Sequence, residues 1–459
     1  MQIKSGIEIH QQLDTNKLFC DCNSILRNDN PEFEVHRKLH AVAGEIGNID
    51  DAAVYESLKK REFIYEGYDS ICLVELDEEP PHLINHDALI TALHVAILLN
   101  CEIISSTQIM RKTVIDGSNT SGFQRTILIA RNGFIETKIG KVRIDNVSLE
   151  EDSARVISKE NNRFRLDRLG IPLVEIGTAP DITSAEQAKE VALHIGDILR
   201  SCNVKRGIGT IRQDVNISIK GHPRVEIKGF QDIKMFIPTI EKEIKRQEEN
   251  LVNNKNLTSE VRNALPDGSS EFLRPMPGSS RMYPETDLPL LKISKKLIDE
   301  ARRSLPKSRN EIKNELKNKG LKEEEIYILL KQKRLEDFKY LMNVLEDPKL
   351  IYKVLIEIPG QIGKLDLDII EGILDFVKEE KIDKKDIKFV MEEIVKGKSL
   401  DEAVVLDKVD LSEVENNIIK LIKDKPGLSI GGYMGLIMEK FKGKISGKDA
   451  NDILKKLLK

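Results

Sequence analysis

Three stretches of this chain, "GIEIHQQL" (6–13), "GIPLVEIGT" (170–178) and "IRQDVNISI" (211–219), set branched aliphatic residues against polar or ionisable ones. Period-two alternation is the geometry of a β-strand, whose successive side chains point to opposite faces. In the first stretch Gly6, Glu8, His10 and Gln12 share one face, and Ile7, Ile9 and Gln11 the other. A chain built on such strands is constrained to a sheet that is greasy on one side and carries carboxylates and an imidazole on the other. What the polar side faces is then the question that decides function.

Further segments extend the pattern. "VRIDNVSLEEDSARVI" (142–157) puts Glu150 and Glu151 beside Asp152, with Ser148, Glu150 and Asp152 on one face of a strand. Glu175 is a single carboxylate inside an apolar run, a position that is costly to bury unless the group is paired or ligated. "IRQDVNISIKGHPRVEIKG" (211–229) reads as a hairpin turning at Gly221-His222-Pro223. A three-residue loop would pair Ser218 with Glu226 and Asn216 with Lys228, joining Asp214 to the same polar patch. Glu8, His10, Glu150, Glu175, Asp214 and Glu226 therefore all lie on strands with an apolar reverse. Oxygen-rich clusters suit hard cations such as Mg²⁺, which travels with phosphates, and the imidazole leaves room for Mn²⁺ or Zn²⁺. The competing reading is a set of solvated faces of antiparallel strands. It accounts least well for Glu175.

At 459 residues the chain is long enough for two to four domains. It is 40% hydrophobic and 32% charged with a net charge of −4, a globular composition with no overall basic field. The opening "MQIKSGIEIH" has no apolar run of signal-peptide length, and "ALITALHVAILL" (88–99) is too short to span a bilayer and reads as a buried helix. Five cysteines in such a length make no disulfide framework, so a reduced cytoplasm, away from membranes, is expected.

Three zones follow from the patterning. Residues 1–295 mix strand-like alternation with turns, 296–405 are Lys/Glu/Leu-rich with helical periodicity, and 411–459 form a small helical pattern split at "KDKPGLS" and "GKISGKDA". The expected class is α+β: a mixed or antiparallel sheet domain, an all-helical domain and a small helical tail. "EENLVNNKNLTSE" (248–260) reads as a linker, and the proline-rich 266–289 as a long loop carrying Arg274, Arg281, Glu285 and Asp287. The tail holds ten lysines against six acids, among them Lys440, Lys442, Lys444 and Lys448, a balance that suits nucleic-acid phosphates or a solvated face equally.

Other motifs are weaker. Cys20 and Cys22 in "FCDC", with His36 and His40 at helical spacing, could build a zinc site, although one-residue cysteine spacing is tighter than in the usual fingers. "GIGT" supplies Gly207 and Gly209, which could let a phosphate approach the backbone before Asp214. No phosphate-loop, dinucleotide or nucleophile-elbow motif is present.

Taken together, "GIEIHQQL", "NVSLEEDSARV", "RLGIPLVEIGTAPDI", "IRQDVNISI", "VEIKGFQDI", "RMYPETDLP" and "GYMGLIMEKFKGKISG" resemble, in order and over nearly the whole chain, the B/E subunit family of tRNA-dependent amidotransferases. The resemblance implies a catalytic cradle, a helical domain and a tRNA-binding tail. It implies a ligase reaction in which ATP phosphorylates the γ-carboxylate of glutamate carried on tRNA(Gln) and ammonia displaces the phosphate. It places metal ligands at Glu8, His10, Glu150 and Glu175, with a nucleotide-associated metal near Asp214 and Glu226. Arg212 and Lys228, on the same hairpin, are candidate phosphate clamps.

Within the family, "ICLVELDEEPP" holds only Cys72 where the bacterial B subunit carries a cysteine pair, and "RMYPETDLP" is more similar to the archaeal E subunit. That subunit works with an asparaginase-like D subunit that releases ammonia from glutamine, a heterotetramer being expected. An insertion similar to a domain of aspartyl-tRNA synthetase, usual in the E subunit, is missing here. The alternatives are a B-type subunit that also acts on Asp-tRNA(Asn), and a tRNA-binding scaffold without activity.

Overall fold

The structure, a computed structural model, describes residues 3–44, 47–230, 232–253, 257–276, 281–404, 411–440 and 447–457. Two compact units are present, Met1–Arg309 and Asn310–Lys459. The α+β class expected from the patterning is what the chain adopts, with a sheet-rich first unit and a helical second one.

The first unit is organised by one large sheet. Its strands along the chain are β1 (Ile3–Gln12), β2 (Ile109–Thr113), β3 (Phe123–Thr137), β4 (Gly140–Glu151), β5 (Pro172–Thr178), β6 (Ile211–Ile219), β7 (Val225–Lys228), β8 (Glu260–Ala264), β9 (Ser270–Pro275) and β10 (Met282–Pro284). Across the sheet they run β9-β8-β7-β6-β1-β5-β4-β3-β2-β10, and Glu102–Ile103 adds a short strand against β3. Neighbours are antiparallel except β7 and β8, which are parallel. The greasy face behaves as the alternation requires. Ile7, Ile9, Ile127, Val147, Leu149, Val174, Ile176, Val215 and Ile217 are all buried in one core. Each such side chain contributes roughly 1.5–3 kcal/mol of transfer free energy.

Helices cover that face. These are α2 (His86–Leu98), α3 (Ala185–Ser201) and α4 (Phe236–Val252), with α5 (Lys295–Arg303) packed on α2, whereas the short α1 (Asp51–Ser57) gives Ala53 and Glu56 to a cavity on the polar face. In α3, Ala188, Val191, Ala192, Ile195 and Leu199 recur at helical spacing and are buried, and Ser184 caps the helix by accepting from the Gln187 amide. The apolar stretch 88–99 is the buried helix expected of it. Helix α5 packs on α2 and gives Ala301 to the same core, so the first unit extends to Arg309 rather than ending near 295.

The two edges of this sheet are close neighbours in sequence. Strand β9 ends at Pro275 and β10 begins at Met282. Laid flat, ten strands would hold their edges roughly 43 Å apart. The connecting chain reaches at most about 25 Å. The sheet must therefore curl, and it curls toward its polar face, where side chains from both edges line one cavity with those from the centre.

Two local expectations are revised. Asn216 stands opposite Glu226, not Lys228, a shift of two residues. The loop is longer than three residues because Pro223 has no amide to donate to the ladder and β7 starts only at Val225. An even shift keeps the polar residues on one face. Within 248–260, helix α4 continues to Val252 and β8 begins at Glu260, so the linker is shorter than its composition implied and lies before the last strands of the sheet.

A four-stranded sheet forms a satellite from Phe33–Arg37, Phe63–Gly67, Arg163–Arg165 and Arg155–Ser158, over a core that includes Tyr65, Phe164 and Leu166. His36 is thus on a strand, not a helix, and both His36 and His40 are exposed.

The second unit carries two cores of its own. Residues from Leu316 to Ala403 form the larger, and Val414, Ile418, Tyr433, Ile437, Ala450 and Leu454 the smaller. The tail helices are Leu411–Asp424, Ile430–Lys440 and Gly447–Leu457; the first two are separated at "KDKPGLS", and the third begins within "GKISGKDA", whose first residues lie outside the described ones. Lys440 is exposed, while Lys442 and Lys444 lie outside the described residues. In the larger core a π-helical turn, Lys353–Glu357, precedes Pro359, whose missing amide withdraws one bond from the α-helical ladder.

One buried ion cluster fixes the chain after the edge-to-edge crossing. The Glu285 carboxylate, 2% exposed, accepts from Arg111 and, at 2.8 Å, from Arg125 Nε. Burial alone would raise its pKa, but Arg111, the Asp287 amide and Arg125 hold it down at about 2. Its contribution to stability is therefore complete above the ordinary carboxylate range and is lost as the pH falls through about 2. Glu285→Gln, which removes the charge shared by Arg111 and Arg125 and leaves Arg125 with the Glu151 carboxylate alone, is expected to cost about 1.5–3 kcal/mol at neutral pH. Calorimetric unfolding should also show a flatter stability profile between about pH 4 and 2 for the variant than for the parent chain.

Candidate functional site

Directly opposed residues on adjacent strands project to the same face, so register decides which side chains meet. One row across the polar face reads Ser148 (β4), Glu175 (β5), His10 (β1) and Arg212 (β6). The next reads Gly177, Glu8 and Asp214. Glu150 is two residues along β4 from Ser148, opposite Thr126. The four residues Glu8, His10, Glu150 and Glu175 thus converge from three strands. His10 Nε2 lies 3.3 Å from Glu175 Oε2, 3.5 Å from Glu8 Oε1 and 4.0 Å from Glu150 Oε2.

Asp214 and Glu226 form a second acidic pair beside this group. Lys228 Nζ bridges them at 2.7 Å to each. Arg212 reaches Asp152 Oδ1 at 2.8 Å, and Gln12 donates to the other Asp152 oxygen at 2.7 Å. Arg212 and Lys228 do stand in the cavity, but each is engaged by carboxylates. Gly207 and Gly209 do not line it: they flank the fully exposed Ile208 in a loop ahead of β6, with positive φ.

Lys112 has no precedent in the sequence reading. It enters from β2, with Nζ 2.5 Å from Glu150 Oε1 and 3.5 Å from Glu175 Oε2. The strand "IMRKT" lacks clean alternation, so only register reveals that Lys112 faces Gln124 and, one row on, Glu150. Arg274 and Arg281, noted only as charges in a loop, also line the cavity.

The cavity has a volume of about 360 Å³. Its electrostatics follow from like charges crowded out of water. Glu8 is pushed up to about 7, by burial first and then by the nearby Glu175 charge. Glu150 is raised for the same two reasons. Burial opposes ionisation of Glu175 as well, but Lys112 and His10 outweigh it and hold that carboxylate well below its usual range. Burial likewise works against charge on His10, and its hydrogen bond to Glu175 overcomes that, so the imidazole is favoured as a cation.

This donor set fits a hard divalent cation. Glu8, His10 and Glu175 present ligand atoms within 4.8 Å of one another, and carboxylate oxygens with one imidazole suit Mg²⁺ or Mn²⁺. Cationic side chains already sit among the acids, which is what a cluster of this charge requires for stability.

A second cluster departs from the zinc site considered above. Cys20 and Cys22 meet Cys72 and Glu75, not His36 and His40. Lys17, fully buried, lies 2.7 Å from Glu75 Oε1. Two strands of the satellite sheet and helix α1 lie between the cysteine pair and Cys72, so the proximity is tertiary and no local spacing reports it.

The GatB/GatE catalytic domain model matches residues 3–299, a span that takes in the whole large sheet. The chain belongs to the GatB/GatE family. It is 35% identical to a protein of Methanocaldococcus jannaschii named as the E subunit of glutamyl-tRNA(Gln) amidotransferase, over all of this chain and 98% of that one. A protein of the same name from Methanococcus maripaludis is 32% identical over all of this chain and 98% of its own length, and one from Pyrobaculum arsenaticum 31% over 98% of each. The alignment with the first extends over 624 positions, more than this chain has residues, so relatives of this family carry sequence that is missing here.

The geometry predicts metal binding that depends on the strand acids and not on the thiols. Mn²⁺ titrated into the purified chain and followed by the electron paramagnetic resonance of the free ion should bind. Glu150→Gln and Glu175→Gln should each weaken it by more than about tenfold, given that even outer-sphere partners are worth 10–100-fold. Cys22→Ser should leave it unchanged.

Proposed function

We propose that this chain converts glutamate esterified to tRNA(Gln) into glutamine, as the ATP-dependent component of a tRNA-dependent amidotransferase. The observation that carries the reading is the convergence of Glu8, His10, Glu150 and Glu175 from β1, β4 and β5, with the first three lining one cavity and Glu175 against His10. The name shared by its full-length relatives supports tRNA-dependent amidotransfer. Family membership and the carboxylate floor favour ATP and Mg²⁺ as the activating pair.

The chemistry explains the residues. A γ-carboxylate oxygen attacks the γ-phosphorus of ATP, the bond to the bridging oxygen breaks and ADP leaves. Ammonia then attacks the acyl carbon, inorganic phosphate leaves with the bonding pair, and the amide remains. A carboxylate and a triphosphate repel each other, so the site must supply positive charge where they meet. Glu8, His10, Glu150 and Glu175 would hold Mg²⁺, with Asp214 and Glu226 near a nucleotide-associated ion. Bound there, the metal supplies Lewis-acid stabilisation of phosphoryl oxygens. Lys112 favours the charged forms of Glu150 and Glu175, and Lys228 pairs with Asp214 and Glu226. Both lysines also leave ammonium groups beside the phosphates once cations take over the carboxylates.

Ammonia would come from a glutaminase partner, the asparaginase-like D subunit of the family resemblance, in a heterotetramer. The chain would act in the cytoplasm; among the described residues no helix is long and apolar enough to cross a membrane. The small three-helix core at the C-terminus would dock tRNA through phosphate contacts.

The chain, given ATP, Mg²⁺, ammonium chloride and Glu-tRNA(Gln), should yield Gln-tRNA(Gln), seen by chromatography of the deacylated amino acid. Glu175→Ala should abolish product while tRNA affinity stays within about twofold. Absence of both ADP and glutamine in the parent chain, with the glutaminase partner also supplied, would overturn the reading. Repeating the assay with Asp-tRNA(Asn) separates an E-type from a B-type activity. Removing residues 405–459 should weaken tRNA binding and make log Kd less steep in log salt, by about one unit of slope for each phosphate the tail had neutralised.

A further inference from the structure

Three cationic side chains of the cavity are already committed to acids. Lys112 is held by Glu150 and Glu175, Lys228 by Asp214 and Glu226, and Arg212 by Asp152. Two others are not. Neither Arg274 nor Arg281 has a carboxylate partner among the described residues, yet both line the cavity. Arg274 Nε is shielded from solvent and has no hydrogen-bond partner among the described residues. A buried guanidinium donor without an acceptor is costly, and such an orphan marks a place where an acceptor belongs.

Their positions in the fold are as informative as their lack of partners. Arg274 is on β9 at one edge of the sheet, and Arg281 immediately precedes β10 at the other. The carboxylates form the floor at the centre, and the curl brings the two rims over it. Arg281 stands close enough to Lys112 for its charge to be felt there. The strand that follows it is anchored. Met282 is in register with Lys112, and the Glu285 amide donates to the Ile109 carbonyl at 2.8 Å. Arg111 and Arg125 then clamp the Glu285 side chain.

We propose that Arg274 and Arg281 are the two jaws of a phosphate clamp, gripping the triphosphate of ATP, and Arg281 the transferring γ-phosphoryl group, from the side opposite the carboxylate floor. The assignment rests on the proposed ATP-dependent reaction and replaces Arg212 and Lys228 as the principal phosphate contacts. A planar guanidinium presents paired donors that match phosphate oxygens, and a fixed cation at the transferring group stabilises charge that develops only in the transition state. Acids below and arginines above would hold the triphosphate in line with the incoming carboxylate.

The test uses Arg274→Lys, Arg281→Lys and Arg281→Ala in the full chain, with thermal melts to verify folding. The lysine forms guard against a truncation that fails to fold. Binding of the non-hydrolysable analogue AMPPNP with Mg²⁺ should weaken at least about tenfold in each variant, while AMP binds as in the parent. Tenfold is the size of effect expected when one charged hydrogen-bond pair is removed. ADP formation dependent on Glu-tRNA(Gln) should fall about 10²–10³-fold in Arg281→Ala, with partial recovery in Arg281→Lys. Affinity for tRNA should stay within about twofold. Parent-like AMPPNP binding and turnover in all three variants would sink the clamp alone. So would a loss of tRNA affinity with nucleotide binding intact, which would make the arginines tRNA contacts. If the parent chain itself bound no AMPPNP and formed no ADP, both this assignment and the ATP-dependent reaction would fall.

Discussion

A short stretch of chain joining the two edges of a ten-strand path is the constraint on which the catalytic unit depends. Because the connection cannot reach across a flat sheet, the sheet is obliged to curl, and the alternation of its strands leaves only the polar face on the inside of the curve. The greasy face is the outer one, and α2, α3 and α4 cover it. A cavity floored by carboxylates and rimmed by arginines follows from those two facts together. Buried ion pairs at Glu285 hold the chain that leaves β10, so the packing that stabilises the unit also positions that edge of the sheet.

Crowding acids in and beside such a cavity has an electrostatic cost that the structure meets locally. Glu8, Glu150, Glu175, Asp214 and Glu226 cannot all remain charged out of water without cations among them. Lys112 and Lys228 are inserted between the acids they neutralise, and His10 sits where three carboxylates can share its proton. The result is a site whose charges are balanced from within yet poised for exchange. Divalent ions would compete with ammonium groups for the same oxygens. This differs from an acidic patch that merely faces solvent, because the carboxylates are driven apart in proton affinity by neighbours only a few ångströms away.

Much of the floor was legible from spacing. Glu8 and His10 share a face because they are two apart on β1, and Glu175 stands out because its neighbours are apolar. The rest depended on register. Glu226 pairs with Asn216 because Pro223 lengthens the turn, a detail that no periodicity reports. Gly207 and Gly209 looked like a phosphate approach because they precede Asp214 in sequence, but the loop projects outward. Lys112 was invisible since β2 carries consecutive polar residues, and its role comes from strands β3 and β4 beside it. Cys72 and Glu75 meet Cys20 and Cys22 across two strands and a helix of intervening chain, a path that composition does not encode.

The amino-acid sequence alone determined the two-faced strands, the helical C-terminal half and the family to which the chain belongs, because period, propensity and ordered motifs are local properties. Only the tertiary structure decided which acids share a cation, which cavity cations are paired with acids, and that residues 274 and 281 line one cavity from opposite edges of the sheet. Those are matters of strand order and closure, set by contacts between segments far apart in the chain.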